Sequence, residues 1–143
     1  GLSVEVAAEM RSSVWRKLAV NASLNVVATL YDLRNGEALK LPDGACLIHR
    51  VCDEVAQLAR CLGVEADPLD YRQHTEHVAR QTGHNICSTL ADFRAGRPTE
   101  YDSINGRLLQ LAQHWGVKVP ALRSLDERFQ ALKETGASEC LFR

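Results

Sequence analysis

None of the nine glycines forms a Gly-x-Gly, so the glycine-rich turn that seats a dinucleotide pyrophosphate is missing. GxxxxGK[ST] is missing too, and strand-like patterning is confined to scraps such as "VKV". This chain cannot by itself be a nucleotide-binding Rossmann domain. A basic excess is also lacking: 17 Lys and Arg face 18 Asp and Glu, a formal net charge of -1. That balance makes nucleic acid a poor partner. No apolar run is long enough to span a bilayer. The N-terminal stretch "GLSVEVAAEMRSSVW" has acids and serines where a signal peptide needs a charged start and an apolar run. Five cysteines, at 46, 52, 61, 87 and 140, make no CxxC and leave one unpaired. Reduced core thiols in a soluble cytoplasmic protein are the expectation.

What is present reads as helix. The 143 residues suit one domain, 1–143, with 45% hydrophobic and 24% charged residues. Apolar periodicity predicts a first long helix from Leu2 to Leu33, bending near Ser12-Ser13. It ends in "RNGEALKLPDG", where Asn35-Gly36 and Pro42-Asp43-Gly44 read as turns. "ACLIHRVCDEVAQLARCLG" is a second helix with Gly63 as its stop. A third opens at "DPLD", Asp67 capping and Pro68 in the first turn, and closes near "TGHN". Shorter helices follow in "ICSTLADFRAG" and up to Gly116, and another runs from Pro120 to Gly136. The fold class is therefore an all-α bundle of about six helices.

Within the first helix, Lys17, Asn21 and Asn25 recur every four residues and span about 80° of one face. Asparagine is a mediocre helix former, so two of them mid-helix cost something that recognition would offset. A solvated stripe explains the same pattern as well as a cleft lining does. In "GHNICSTLADFRAGRPTEYDSING", Asp92 and Arg94 read as a surface pair, and Thr99 or Asp102 as a helix cap. His74 and His77, with His84 following, invite a metal site, but the first two lie on a helix rich in Gln, Thr and Glu, which favours a solvated face. Cys87 has no identifiable histidine partner and reads as a core thiol rather than a nucleophile.

Together, "WRKLAVNASLNVVATL" with its following "NGE", and "NICSTLADFRAGRPTEYDSINGRLLQLAQHWGVKVP" downstream, carry two ordered signatures. One is Lys-xxx-Asn-xxx-Asn; the other is Asp-xxxx-Arg-x-Thr-Glu-xxxx-Asn-Gly. On these the chain resembles the C-terminal helical domain of ketopantoate reductase (2-dehydropantoate 2-reductase), a fold like the C-terminal domain of 6-phosphogluconate dehydrogenase. The resemblance implies an NADPH-dependent reductase of 2-dehydropantoate or a close 2-keto acid, serving pantothenate and coenzyme A synthesis. It makes Lys17 the proton donor and Asn21, Asn25, Asn35 and Ser88 the substrate contacts. Glu100 becomes a cofactor contact, and no metal is involved. One departure is Cys87-Ser88-Thr89 where the family usually has Ser-Ser-Met, which keeps the relevant hydroxyl.

The resemblance further implies that NADPH is held mainly by an N-terminal Rossmann domain absent from these residues. Gly1 would then begin near an interdomain junction, and the isolated domain would be inactive. Pairing with a second copy is also expected. The competing function class is a noncatalytic helical dimerisation or interaction module. Such a module has no evident need for a lysine in line with two asparagines.

Overall fold

A helix that is apolar on nearly all sides needs neighbours on all sides, and the long first helix has them. A computed structural model describes residues 2–136, and every regular element among them is helical. The order is α1 (Leu2–Tyr31), α2 (Asn35–Lys40), α3 (Pro42–Cys61), α4 (Pro68–Gln81) and α5 (Ser88–Arg94). A π turn over Asp102–Gly106 then runs into α6 (Arg107–Trp115), and α7 (Pro120–Thr135) closes the bundle. Helix α1 is the axle, touching α2, α3, α4, α5, α7 and the π turn.

From Trp15 onward α1 is core. Leu24, Val27 and Leu30 are fully buried, each contributing about 1.5–3 kcal/mol of burial free energy. Two hydroxyls share that interior by folding back on their own helix: Ser23 Oγ donates to the Ala19 carbonyl (2.6 Å) and Thr29 Oγ1 to that of Asn25 (2.7 Å). Before Trp15 the picture inverts. Val4, Met10 and Val14 are 66%, 64% and 57% exposed, so the first half of α1 stands out from the bundle. The helix runs unbroken through Ser12-Ser13 and ends at Tyr31, because Asp32 takes a left-handed φ of 55°.

Two of the expected turns are helical. Asn35–Lys40 forms α2, with the Glu37 carboxylate accepting the Arg34 N–H (3.2 Å) as half of a capping box. Pro42 is the first residue of α3, where its missing N–H is no loss. Gly44 is the hinge of this close packing, since a Cβ there would sit 2.6 Å from the Ala38 carbonyl oxygen. Seven α-helices result among the described residues. Asp67 caps α4 as expected, accepting the Leu69 N–H at 3.1 Å.

Buried charge also organises the bundle. Both carboxylate oxygens of Glu54 accept backbone N–H groups at the start of α7, from Ala121 and Leu122, each at 2.8 Å. Tyr101 stacks on Phe129 with ring centroids 3.9 Å apart and donates its hydroxyl to Asp126 (2.7 Å). This anchors the approach to the π turn. No helix of the described residues is long and apolar enough to cross a membrane.

Candidate functional site

The polar row lies on the half of α1 that the bundle encloses. Lys17 is exposed, while Asn21 and Asn25 are half-buried. Eight residues at 1.5 Å each put about 12 Å between the first and last of the three. Asn25 Nδ2 donates to Asn21 Oδ1 at 3.1 Å, so the two amides brace each other one turn apart. Asn21 Nδ2 and Asn25 Oδ1 then have no protein partner among the described residues. One offers a donor and the other an acceptor. Lys17 likewise makes no ion pair among the described residues, so its ammonium is available to something else.

Long-range contacts wall one flank of the row. Cys87 Sγ donates to the Asn25 carbonyl (3.6 Å) and lies 3.8 Å from Thr29 Oγ1. The same sulfur accepts the Leu90 N–H (3.5 Å), which makes Cys87 the N-cap of α5. Ser88, exposed and first in α5, therefore sits one residue from the Asn25 turn. Burial pushes the Cys87 thiol above its ordinary value, outweighing the hydrogen bonds that lower it, and a thiol so held is a poor nucleophile. Sequence alone marked Cys87 as core; its capping role was not visible, although Ser/Thr-like caps before a short helix are a known signal.

Glu100 leads into the π turn. It is exposed, and its carbonyl accepts from Ile104 N (3.1 Å) and Ser103 Oγ (2.9 Å). The turn in turn touches α1 through Asn105, whose Nδ2 donates to the Ala22 carbonyl at 3.0 Å. Asn35 is placed differently. It is buried in the junction of α2 with the end of α4, its N–H on the Asn85 carbonyl (3.1 Å) and its Nδ2 on Thr82 Oγ1 (2.9 Å). Its side-chain nitrogen is thus committed within the protein, as that of Asn25 is and that of Asn21 is not.

Several bland expectations change partners. Arg94 pairs with Asp32 (2.7 Å) and Asp92 with Arg97 (3.0 Å), so Asp92 and Arg94 are not a pair. The chain folds Arg94 toward the end of α1 while the next loop returns Arg97 to Asp92. Thr99 Oγ1 accepts the Tyr101 N–H at 3.3 Å in the loop ahead of the π turn, whose start has no side-chain cap hydrogen bond. Among the described residues no group of three His, Cys, Asp or Glu could hold a metal ion. A charged cleft of about 740 Å³ lies beside Ser12, Arg16, Arg60 and Asp70, but it takes in none of the row. The row instead faces outward from α1. For a nicotinamide cofactor the described residues offer exposed carboxylates, Glu100 among them, and no glycine-rich strand–helix cradle. They lack the main seat for such a cofactor.

Comparison with known proteins places the chain in a family and a fold. Residues 9–133 match the family described as ketopantoate reductase PanE/ApbA C terminal. Over 111 residues the chain is 40% identical to 2-dehydropantoate 2-reductase of Salmonella typhimurium, covering 78% of this chain and 36% of that protein. With the 2-dehydropantoate 2-reductase of Halobacterium salinarum it shares 27% over 136 residues, covering 95% of this chain and 45% of that one. The chain thus spans less than half the length of these curated relatives. Among solved structures, D-mandelate dehydrogenase in ternary complex with NADH and anilino(oxo)acetate aligns at a TM-score of 0.80. It is 26% identical, with 86% of this chain and 68% of that one covered. The ketopantoate reductase of Ralstonia eutropha aligns at 0.78 with 24% identity, covering 87% of this chain and 41% of that one, a likeness of fold alone. By sequence match over most of its length, and by fold, this chain belongs to the ketopantoate reductase C-terminal domain family.

Proposed function

We propose that this chain is the substrate-side, acid-bearing part of an NADPH-dependent 2-keto acid reductase. Its favoured substrate is 2-dehydropantoate, reduced to pantoate for pantothenate and coenzyme A synthesis. The observation that carries the reading is the braced row: an unpaired Lys17 ammonium in line with two asparagines whose outward donor and acceptor are unused.

Bound NADPH would supply the hydride. What this chain contributes is charge and position. As the ketone carbon gains hydride its oxygen becomes anionic, and an ammonium placed there stabilises that charge and donates the proton. Lys17, being exposed, regains its proton from water after product leaves. Asn21 Nδ2 suits a carboxylate oxygen, and Asn25 Oδ1 suits a substrate hydroxyl. Ser88 adds a second donor beside Asn25 without adding charge. Asn35 enters the proposal by holding the 82–85 loop that leads to Ser88. Glu100 accepts from the cofactor's edge.

The aligned D-mandelate dehydrogenase supports a second reading in the same class, an aryl 2-keto acid with NADH as reductant. The test is a substrate panel on the intact reductase of which we propose this chain is part. It sets 2-dehydropantoate against a phenyl 2-keto acid, with NADPH and NADH each in turn, for wild type and Asn25→Ala. Preference for 2-dehydropantoate with NADPH supports the first reading, and the opposite preference supports the second. Asn25→Ala should raise KM and lower kcat together, since an orienting amide acts in both ground and transition states. An intact protein that reduces no 2-keto acid would leave the noncatalytic helical module as the answer.

A further inference from the structure

The Asn-Gly that ends the downstream signature, Asn105-Gly106, has no part in the reaction proposed above. Its geometry is nevertheless unusual. Asn105 is only 1% exposed, in the π turn that carries the hydrogen bonds of Glu100. Its Nδ2 meets the Ala22 carbonyl at 3.0 Å, while its Oδ1 is buried with no hydrogen-bond partner. The amide cannot be turned the other way, because that would set Oδ1 against a carbonyl oxygen. Ala22 lies about 60° around α1 from Asn25, on the flank that Cys87 also walls.

A buried, orphaned acceptor opposes folding, and an apolar side chain here would remove that cost along with the single donated bond. Stability is therefore a weak reason for an amide at this position. Placement is a better one. Among the described residues, the Asn105–Ala22 bond is the one hydrogen bond joining the π turn to α1. On the other side the segment is fixed by Tyr101 against Phe129 and Asp126. π turns inside α-helices recur at functional sites, where the extra residue re-aims a side chain.

We propose that Asn105 is a positioning residue, clamping the π turn to α1 so that Glu100 stands at a fixed distance from the Lys17–Asn25 row. This rests on the reading of Glu100 as a cofactor contact. Loss of the clamp frees the turn to slide along α1. The cofactor-side carboxylate is then misplaced while the row, held by its own helix, is unchanged.

The test is a double-mutant cycle on the intact reductase, read as NADPH affinity by fluorescence titration. Asn105→Ala should weaken NADPH binding about tenfold or more, the worth of one hydrogen bond to a charged group such as the Glu100 carboxylate. Keto acid KM should stay within about twofold. In a Glu100→Ala background the same substitution should add nothing, because it acts through Glu100. Asn105→Leu, which fills the space, should behave alike and guards against a cavity effect. Unchanged NADPH affinity in either folded variant overturns the proposal, as do losses at 105 and 100 that simply add. Failure of both variants to fold would make Asn105 structural and equally overturn it. Failure of the reaction itself is separable: Lys17→Ala that keeps its turnover would remove the acid while cofactor affinity still reports on the clamp.

Discussion

Glu54 is where a single substitution should tell most about what holds the bundle together. Its carboxylate is 8% exposed and accepts two α7 N–H groups at 2.8 Å. Truncation to alanine strands both donors, at about 1–3 kcal/mol each. Part of that loss is offset, since a buried carboxylate no longer has to be desolvated. The net expectation is about 3 kcal/mol, or a fall in Tm of about 10 °C for a domain this size. Glu54→Gln keeps one acceptor but turns its NH₂ toward the other N–H, costing about 1–2 kcal/mol. The pH dependence is more discriminating. Burial pushes the Glu54 carboxyl up from its ordinary 4.5, outweighing the Leu122 and Ala121 N–H groups that pull it down. A raised folded-state pKa means the stabilisation is full below 4.5 and is lost as pH rises through the shifted value. The stability gap between wild type and Glu54→Gln should therefore narrow as pH climbs through that window. Urea titrations at a series of pH values measure it. A gap that widens with pH would mean the N–H bonds outweigh desolvation, and the reasoning would be wrong.

Gly44→Ala should cost about 1–3 kcal/mol in a thermal melt, because its Cβ would meet the Ala38 carbonyl oxygen, a backbone atom, at 2.6 Å; a neutral result would show that α2 can move aside. Brief alkylation at mildly alkaline pH, followed by peptide mapping, should label the exposed Cys46 and Cys61 well before the buried Cys52 and Cys87. Burial raises both of the latter thiols, so early labelling at either would contradict the packing. Val4, Val6, Met10 and Val14 expose apolar surface along the projecting half of α1, and the chain should self-associate at high concentration. Sedimentation that stays monomeric throughout would refute this.

The elements with strong local signals were readable from sequence. Asp67-Pro68 announced α4, and the all-round apolar run from Trp15 to Leu30 announced a buried axle. Helix α2 was not readable, because Asn35-Gly36 is ordinary turn chemistry and only the Glu37 bond to Arg34 and the packing of Gly44 favour a helix. The pairings that shape the site join residues far apart in the chain, such as Asn25 with Cys87 and Ala22 with Asn105. No local pattern encodes such pairs. The row itself was visible at its four-residue spacing, yet spacing alone could not separate a solvated stripe from a substrate face. The Asn21–Asn25 brace, and a Lys17 without an ion pair among the described residues, are what the proposed reading adds to that spacing, and neither can be seen without coordinates.

The most direct measurement is steady-state reduction of 2-dehydropantoate by the intact reductase carrying Lys17→Ala. With Lys17 as the acid, kcat should fall by about two to four orders of magnitude, the usual worth of a positioned proton donor. NADPH affinity should barely change, since the lysine serves the substrate oxygen. A near-normal kcat would place the acid elsewhere and reduce the row on α1 to a structural feature.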